Sequence, residues 1–149
     1  DYVRSSPASY WQAMNIQNLR FTGVEASASW RARAQVLDWT YTGLKGSSGP
    51  LPGMQSKYAF NYAVHSGVFS WTGNLPGRTA VRSRVGALER LGYGAYGVWD
   101  VSVTKAMGRV RPYAQFGNLT GTRYEEIAGV TMPGRSVVAG VELVWQPGK

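Results

Sequence analysis

Apolar and polar residues alternate along most of the chain, and this alternation has the period of a β-strand. The run Val24–Trp30 shows it in full, because every second side chain from Val24 onward is apolar. The pattern recurs in six further segments: 37–42, 60–65, 81–87, 99–104, 110–116 and 137–145. Helical spacing occurs only over Val85–Leu91, where glycines weaken it. The sequence therefore predicts an all-β chain of about seven antiparallel strands.

The connections between these strands alternate between short and long. Short ones are predicted at 31–33, 73–77 and 105–109, and longer ones at 44–57, 89–94 and 119–136. Outer-membrane barrels have short periplasmic turns and longer external loops. The order of connections therefore indicates transmembrane β-barrel strands.

Aromatic side chains are expected near both ends of the strands, where amphipathic rings favour a membrane–water interface. Trp30, Trp71 and Trp145 are predicted at the short-turn face. The opposite girdle is predicted to comprise Trp39, Tyr41, Tyr58, Phe60, Trp99 and Phe116.

Composition agrees with a sheet that has one face in lipid and one in water. Hydrophobic residues make up 44% of the 149-residue chain, aromatics 13% and charged residues only 16%. The alternation predicts that one set of side chains faces lipid: Val24, Trp39, Val101, Val141 and Leu143. It predicts that a second set faces the barrel interior: Glu25, Asp38, Arg82, Asp100 and Arg111. The chain has no run of 18 apolar residues, as a membrane-spanning helix would need.

The net charge of +8 raises nucleic acid as a partner, but the Arg and Lys residues are scattered singly through strand-like runs. We therefore expect no nucleic-acid partner. Interior arginines such as Arg82, Arg84 and Arg111 offer a weaker possibility, the attraction of an anionic solute.

The sequence predicts no catalytic or metal site and no cofactor. Glu125-Glu126 is the only adjacent carboxylate pair, and neighbouring strand residues point to opposite sides rather than converging on a substrate. His65 is the only histidine and the chain has no cysteine, so a typical zinc site is excluded. We expect His65 to face the lumen or to pair locally. The stretch Gly92–Gly97 lacks the Lys-Ser/Thr of a phosphate-binding loop and is interpreted as a loop tip.

The last third of the chain resembles the C-terminus of TonB-dependent outer-membrane receptors. The resemblance is carried by Gly117-Asn118-Leu119-Thr120, Tyr124-Glu125-Glu126-Ile127-Ala128-Gly129, Met132-Pro133-Gly134-Arg135 and the final strand to Trp145. Arg20–Glu25 and Pro50–Gly53 are similar to a late strand and a loop of the same family.

The resemblance implies a 22-stranded barrel filled by a plug domain. Residues 1–149 would be the C-terminal part of that barrel, with the plug and most strands absent. The whole receptor would sit in the bacterial outer membrane and take up an iron–siderophore, cobalamin or a similar scarce solute. Its partners would be outer-membrane lipid, the solute, the missing barrel and plug segments and, through the plug, the TonB system.

The final strand also resembles the signal that the barrel-assembly machinery recognises. Gly140, Leu143 and Trp145 match that pattern, whereas Val138 stands where a polar residue belongs and residues 146–149 extend past the usual end.

Ligand contacts are predicted on the long-loop side, chiefly from Tyr124, Glu125 and Arg135, with Tyr93 and Tyr96 next. Tyr offers a stiff contact surface and Arg can hold a carboxylate or catecholate oxygen. The competing interpretation is that Tyr124 and Arg135 brace the final hairpin.

Two alternative functions remain open from the residues alone. The first is a small, self-contained outer-membrane barrel with a structural role, although an odd strand count argues against it. The second is a soluble, lipocalin-like or avidin-like ligand-binding barrel, whose apolar face would point inward. About seven strands would also leave two edges unpaired within the chain.

Overall fold

The structure is a computed structural model that describes residues 2–15, 20–47, 53–56, 62–127 and 129–145. Strands are the only regular secondary structure among the described residues, and the prediction of an all-β, antiparallel chain is confirmed. The strands are β1 (Tyr2–Arg4), β2 (Gln12–Ala13), β3 (Arg20–Ala32), β4 (Gln35–Ser47), β5 (Gln55–Ser56), β6 (Ala63–Leu75), β7 (Thr79–Arg90), β8 (Tyr96–Lys105), β9 (Val110–Gly117), β10 (Glu125–Ile127), β11 (Val130–Thr131) and β12 (Ser136–Leu143). Among these residues no helix is long and apolar enough to cross a bilayer.

Seven long strands form one antiparallel sheet in the order β12-β9-β8-β7-β6-β4-β3. They correspond to the seven predicted segments, although β6 begins at Ala63 and runs to Leu75. Phe60 and Asn61 lie outside the described residues. Within the described part of the chain, β3 pairs only with β4 and β12 only with β9, so the sheet is open at both edges.

Turns of two to four residues join the strands at one end of the sheet, and the connections 48–62 and 118–135 at the other end are long, as predicted. The third predicted long loop, 89–94, is shorter than expected, because β7 continues through Glu89 and Arg90 and leaves only residues 91–95 before β8. β3 continues through Arg31 and Ala32, which the sequence placed in the turn, so that only Arg33 and Ala34 connect it to β4. Arg33 has a φ of 52° and Arg78, in the next short turn, has a φ of 59°. At the long-loop end, β1, β2 and β5 form a small sheet and β10 pairs with β11.

The register separates the side chains of the main sheet into two faces. Directly paired residues project to the same side, so one row contains Ser29, Asp38, Ser70, Arg84 and Asp100. The neighbouring row contains Ala28, Trp39, Phe69, Val85 and Trp99 on the opposite side. We call these sides the polar face and the apolar face. The two predicted sets of side chains therefore lie on opposite faces, as the alternation requires.

The apolar face is uncovered in the described residues. Val141 is 61% exposed and Leu143 is 75% exposed, and Val24, Trp39 and Phe69 are also exposed. The one buried hydrophobic residue in this part of the chain is Val3 in the small sheet, at 3% exposure. Among the residues that the structure describes, the main sheet thus forms one layer, and no second layer packs against its apolar face.

The strands are staggered along the sheet. One row of paired residues passes through Trp30, Leu37, Trp71, Ser83, Val101, Phe116 and Val137. This row lies two residues from the short-turn end of β3 but six from that of β12. The row therefore shifts by four residues, at about 3.3 Å each, across the six gaps of about 4.8 Å between the seven strands. This shift corresponds to a strand tilt of about 25°.

The stagger also changes the predicted aromatic girdles. Trp99 and Phe116 lie toward the long-loop ends of their strands, as predicted. Trp39 does not, because it pairs with Ala28 and Phe69 in the half of β4 nearest the short turn. The prediction for Trp39 is wrong, and Tyr41 is at the middle of β4 rather than at its end. Tyr58 and Phe60 lie outside the described residues.

Candidate ligand-binding site

The connection between β9 and β12 is organised by Asn118, which is only 4% exposed. Its side-chain amide donates hydrogen bonds to the carbonyl oxygens of Thr122 (2.9 Å) and Pro133 (3.2 Å). Its side-chain oxygen accepts from the Thr122 backbone N–H (3.0 Å) and the Thr120 hydroxyl (2.9 Å). Asn suits this position because the φ of 50° is a left-handed conformation that Asn tolerates. Asn118 therefore joins the two ends of the 118–135 loop.

The 118–135 loop is also fastened to β8. The Asn118 backbone N–H donates to Asp100 Oδ1 at 2.9 Å, and the Thr122 hydroxyl donates to the Gly97 carbonyl at 2.6 Å. The Leu119 backbone N–H donates to the Trp99 carbonyl at 2.7 Å. These bonds hold the loop against the long-loop end of the sheet.

Between this loop and the polar face lies a cleft of about 360 Å³, a size that suits a small molecule. Its polar and aromatic lining includes Arg84, Tyr96, Asp100, Tyr124 and Glu126. Met132 and Pro133 contribute apolar walls from the loop. We call this space the loop cleft.

The charged groups at the base of the loop cleft are paired loosely. Arg84 Nη1 lies 3.7 Å from Asp100 Oδ2, and both side chains are more than a third exposed to solvent. Exposed pairs of this kind contribute at most about 1 kcal/mol. The Arg84 guanidinium can therefore exchange this partner for an anionic group of a ligand at low energetic cost.

Tyr96 and Tyr124 form the aromatic part of the loop cleft. Their rings stack with centroids 4.7 Å apart and planes 24° from parallel. Burial, followed by the negative charge of Glu126, raises the pKa of Tyr124 above its ordinary value of 10.0. The phenol therefore stays neutral at physiological pH and can donate a hydrogen bond beside a flat aromatic surface.

The five predicted ligand residues divide into two groups. Tyr124 and Tyr96 meet in the loop cleft. Glu125 accepts a hydrogen bond from the Gly129 backbone N–H at 2.8 Å, and Arg135 Nε donates to the Leu119 carbonyl at 3.1 Å. Tyr93 is half exposed in the tight β7–β8 connection, outside the cleft lining. The bracing interpretation concerns Tyr124 and Arg135, and of these two only Arg135 makes a hydrogen bond within the loop that fits it. The ligand roles of all five residues stay predictions.

Asp100 and Asn118 line the loop cleft but are not among the predicted ligand residues. The sequence predicts Asp100 only as an interior residue and Asn118 only as part of a motif, whereas Arg84 is one of the three interior arginines that it offers for an anionic solute. A residue pattern does not show which polar side chains meet, because that depends on the register between β7, β8 and β9. The signal available in the sequence was the Gly117-Asn118 pair directly after a strand, which is typical of a tight, side-chain-bonded turn.

His65 pairs locally, and its side chain lies on the apolar face of the sheet. Its Nδ1 lies 2.7 Å from the Tyr41 hydroxyl, and the two rings stack with centroids 6.1 Å apart. In the described ranges, no group of three or more His, Cys, Asp or Glu side chains could hold a metal ion.

The residues of the predicted assembly signal lie at the free edge of the sheet. Gly140 pairs with Tyr113, whose ring lies over it so closely that an added Cβ would be 2.6 Å from the Tyr113 hydroxyl oxygen. Leu143 and Trp145 are strongly exposed. Their recognition by the assembly machinery stays a prediction.

Comparison of the chain with protein-family models, with curated proteins and with solved structures finds no match.

Proposed function

We propose that the main sheet is part of the wall of a transmembrane β-barrel in the bacterial outer membrane. The observation that carries this proposal is the separation of ionisable side chains between the two faces. Nine of the thirteen charged residues in the main strands are on the polar face: Glu25, Arg31, Asp38, Arg82, Arg84, Arg90, Asp100, Arg111 and Glu142. The other four are on the apolar face, and all are at or near strand ends: Arg20, Lys45, Glu89 and Lys105.

This distribution matches the cost of charge in a bilayer. Arg or Lys on a lipid-facing barrel surface costs about 2–4 kcal/mol at the midplane and about 0–1 kcal/mol near the interfaces. An apolar face with charge only at its two rims satisfies that constraint. A water-exposed face has no such reason to exclude charge from its centre.

The uncovered apolar face favours a membrane wall over a soluble ligand-binding barrel. A soluble barrel turns its apolar side chains inward, where they pack together. Here Val24, Val141 and Leu143 are all at least 60% exposed, while the polar face carries the loop cleft. An apolar surface of this extent is stable only when lipid or protein covers it.

Strand direction favours a larger barrel over a small one made of these seven strands. Six successive antiparallel pairings lead from β3 to β12, so the two edge strands run the same way. An all-antiparallel barrel cannot close by joining two such edges. Further strands from outside the described residues would complete the wall.

Within this barrel we propose a role in TonB-dependent uptake of a scarce solute such as an iron–siderophore or cobalamin. The proposal rests on the resemblance of the 117–135 region to that receptor family. The position of the loop cleft on the polar face, at the long-loop end, supports it, because an entering solute would meet that end first. Binding of the solute would involve Arg84, Tyr96 and Tyr124, and energy coupling would require the plug and the TonB system.

Cysteine labelling tests the wall directly, because the chain has no cysteine of its own. Ala28→Cys and Ser29→Cys place a thiol on adjacent residues of β3 that face opposite sides. In outer membranes that contain the full-length protein, we expect a charged maleimide to label Ser29→Cys and to leave Ala28→Cys unlabelled until detergent denatures the protein, because a thiol in lipid is neither reached by the reagent nor ionised. Equal labelling of both positions by the charged reagent would contradict the proposal.

Uptake is tested separately in cells that lack the full-length protein. We expect them to lose accumulation of an iron–siderophore or of cobalamin. Cells that keep the protein but lack the TonB system should bind that solute at the surface without accumulating it. Normal uptake of both solutes in either strain would overturn the receptor role while leaving the membrane wall intact.

A further inference from the structure

A group of basic side chains lies on the apolar face at the long-loop end. Arg20 begins β3, and Lys45 pairs with Thr22 two residues further along. His65 pairs with Gly43, which precedes Lys45 by two residues on the same face. Arg20, Lys45 and His65 therefore form a diagonal row of neighbours across three strands, with Cα separations of about 7–8 Å between successive members. We call them the rim cluster.

The rim cluster has free capacity to bind an anion. All three side chains are exposed. Among the described residues, neither Arg20 nor Lys45 makes a hydrogen bond or an ion pair through its side chain. Glu89 pairs with His65 from the far side, so it lies three strands away from Arg20 and leaves a net positive charge at that end of the row.

The surface directly below the rim cluster is apolar and low in relief. The next row of the same face contains Ala26, Tyr41, Gly67, Ala87 and Gly97. Gly67 has no side chain and lies between Tyr41 and Ala87, and a Cβ placed on it would meet no atom within 4 Å. The face is therefore open and low at Gly67 beside the Tyr41 ring, and we call this position the depression. Tyr41 borders the depression, and its ring stacks between Trp39 and His65.

This arrangement matches a molecule that has a phosphate group beside the rim cluster and a hydrocarbon chain on the apolar surface next to it. A lipid phosphate in contact with the rim cluster would meet one guanidinium, one ammonium and one imidazole, which can all donate to its oxygens. Its acyl chain would lie along the depression beside Tyr41 and Trp39. A soluble anion would use the cations but not the apolar surface, so the two parts together select a lipid.

We propose that the rim cluster binds a phosphorylated lipid of the outer leaflet. The site lies on the outer surface of the wall, separate from the loop cleft on the polar face. The proposal rests on the proposed membrane function for the presence of lipid at this face. It adds a specific lipid partner and the residues that recognise its headgroup.

The test uses the full-length protein in detergent and measures lipid binding by native mass spectrometry. The probes are diphosphoryl lipid A and the same lipid without its phosphates. The variant R20Q/K45Q removes two cations from the rim cluster. K105Q is the matched control, because Lys105 lies on the same face at the opposite, short-turn rim.

We expect R20Q/K45Q to weaken binding of diphosphoryl lipid A about 30-fold, or about 5-fold for each cation removed, since each contributes about 1 kcal/mol near an anionic lipid surface. K105Q should bind within twofold of the wild type. The wild type should bind the dephosphorylated lipid at least tenfold more weakly, and this comparison needs no variant to fold.

Equal binding of the two lipids by the wild type, or equal effects of R20Q/K45Q and K105Q, would overturn the proposal. If the charged maleimide labels Ser29→Cys but not Ala28→Cys in that case, only the specific lipid site has failed. If it labels both positions equally, the membrane wall itself has been refuted.

Discussion

The stability cost of an arginine introduced in the middle of each face would show whether lipid or water contacts that face. Val85 is the seventh of twelve residues in β7, and its side chain is exposed on the apolar face between Phe69 and Trp99. Thr40 is the sixth of thirteen residues in β4, and it is exposed on the polar face between Ser27 and Val68. Val85→Arg and Thr40→Arg therefore add the same charge at similar depth on opposite sides.

The expected difference follows from the two environments. On a lipid-facing surface near the midplane, Val85→Arg should lower the free energy of unfolding by about 2–4 kcal/mol. Thr40→Arg should change it by no more than about 0.5 kcal/mol, because the new guanidinium remains in water. On a sheet with water on both sides, both changes would fall within that smaller range.

The assay is guanidinium chloride unfolding of the full-length protein in phosphatidylcholine vesicles, followed by tryptophan fluorescence. The two variants should share the wild-type dependence on denaturant, so that the midpoints report stability. Equal midpoints for the two variants, or a loss below about 1 kcal/mol for Val85→Arg, would refute the assignment of lipid to the apolar face.

Three further predictions concern the edge of the sheet and the loop cleft. Gly140→Ala should destabilise the protein by about 1–3 kcal/mol, because the added Cβ would overlap the Tyr113 ring. Gly67→Ala is the control and should not destabilise the protein, because its Cβ would meet no atom. An equal loss of stability in both variants, measured by denaturant unfolding, would contradict this. Asp100→Asn should weaken the hydrogen bond from the Asn118 N–H, loosen the 118–135 loop and speed tryptic cleavage at Arg123. Glu142→Gln is the control, because it breaks the similar exposed pair with Arg111, and it should leave the cleavage rate unchanged. Equal cleavage rates in the wild type and both variants would count against Asp100 as an anchor of the loop. Because burial and the charge of Glu126 raise the pKa of Tyr124, the favourable environment of its neutral phenol is fully present below pH 10 and is lost as the pH rises through the higher folded value. The absorbance difference between wild type and Tyr124→Phe should therefore titrate above pH 10, and a midpoint at or below 10 would contradict the burial of Tyr124 in the loop cleft.

The main sheet could be predicted because its signal repeats every two residues. In Val24–Trp30 each apolar side chain identifies the face of its neighbours, and the same holds in six other strands. Because successive side chains of a strand point to opposite faces, the two-residue period also predicts which charged residues share a face, such as Arg84 and Asp100. Aromatic position was less predictable, because stagger between strands moved Trp39 toward the short-turn end.

The small elements at the long-loop end gave no such signal. β1 pairs with β5 from more than fifty residues away, and strands of two or three residues are too short to show alternation. Among the described residues of these small strands, Val3 is the only buried hydrophobic residue. The sequence likewise identifies Tyr96 and Tyr124 as loop aromatics, but their contact brings together two residues 28 positions apart, in a loop that hydrogen bonds to Asp100 and Gly97 hold against β8.

A spin-label scan of β7 tests the central claim most directly. Cysteines introduced one at a time from Val81 to Ala87 in the full-length protein, each spin-labelled in vesicles, would report collisions with oxygen in lipid and with a nickel chelate in water. The membrane wall predicts high oxygen accessibility at Val81, Ser83, Val85 and Ala87, and high nickel accessibility at Arg82, Arg84 and Gly86. The same nickel accessibility at all seven positions, or the two patterns reversed, would contradict it.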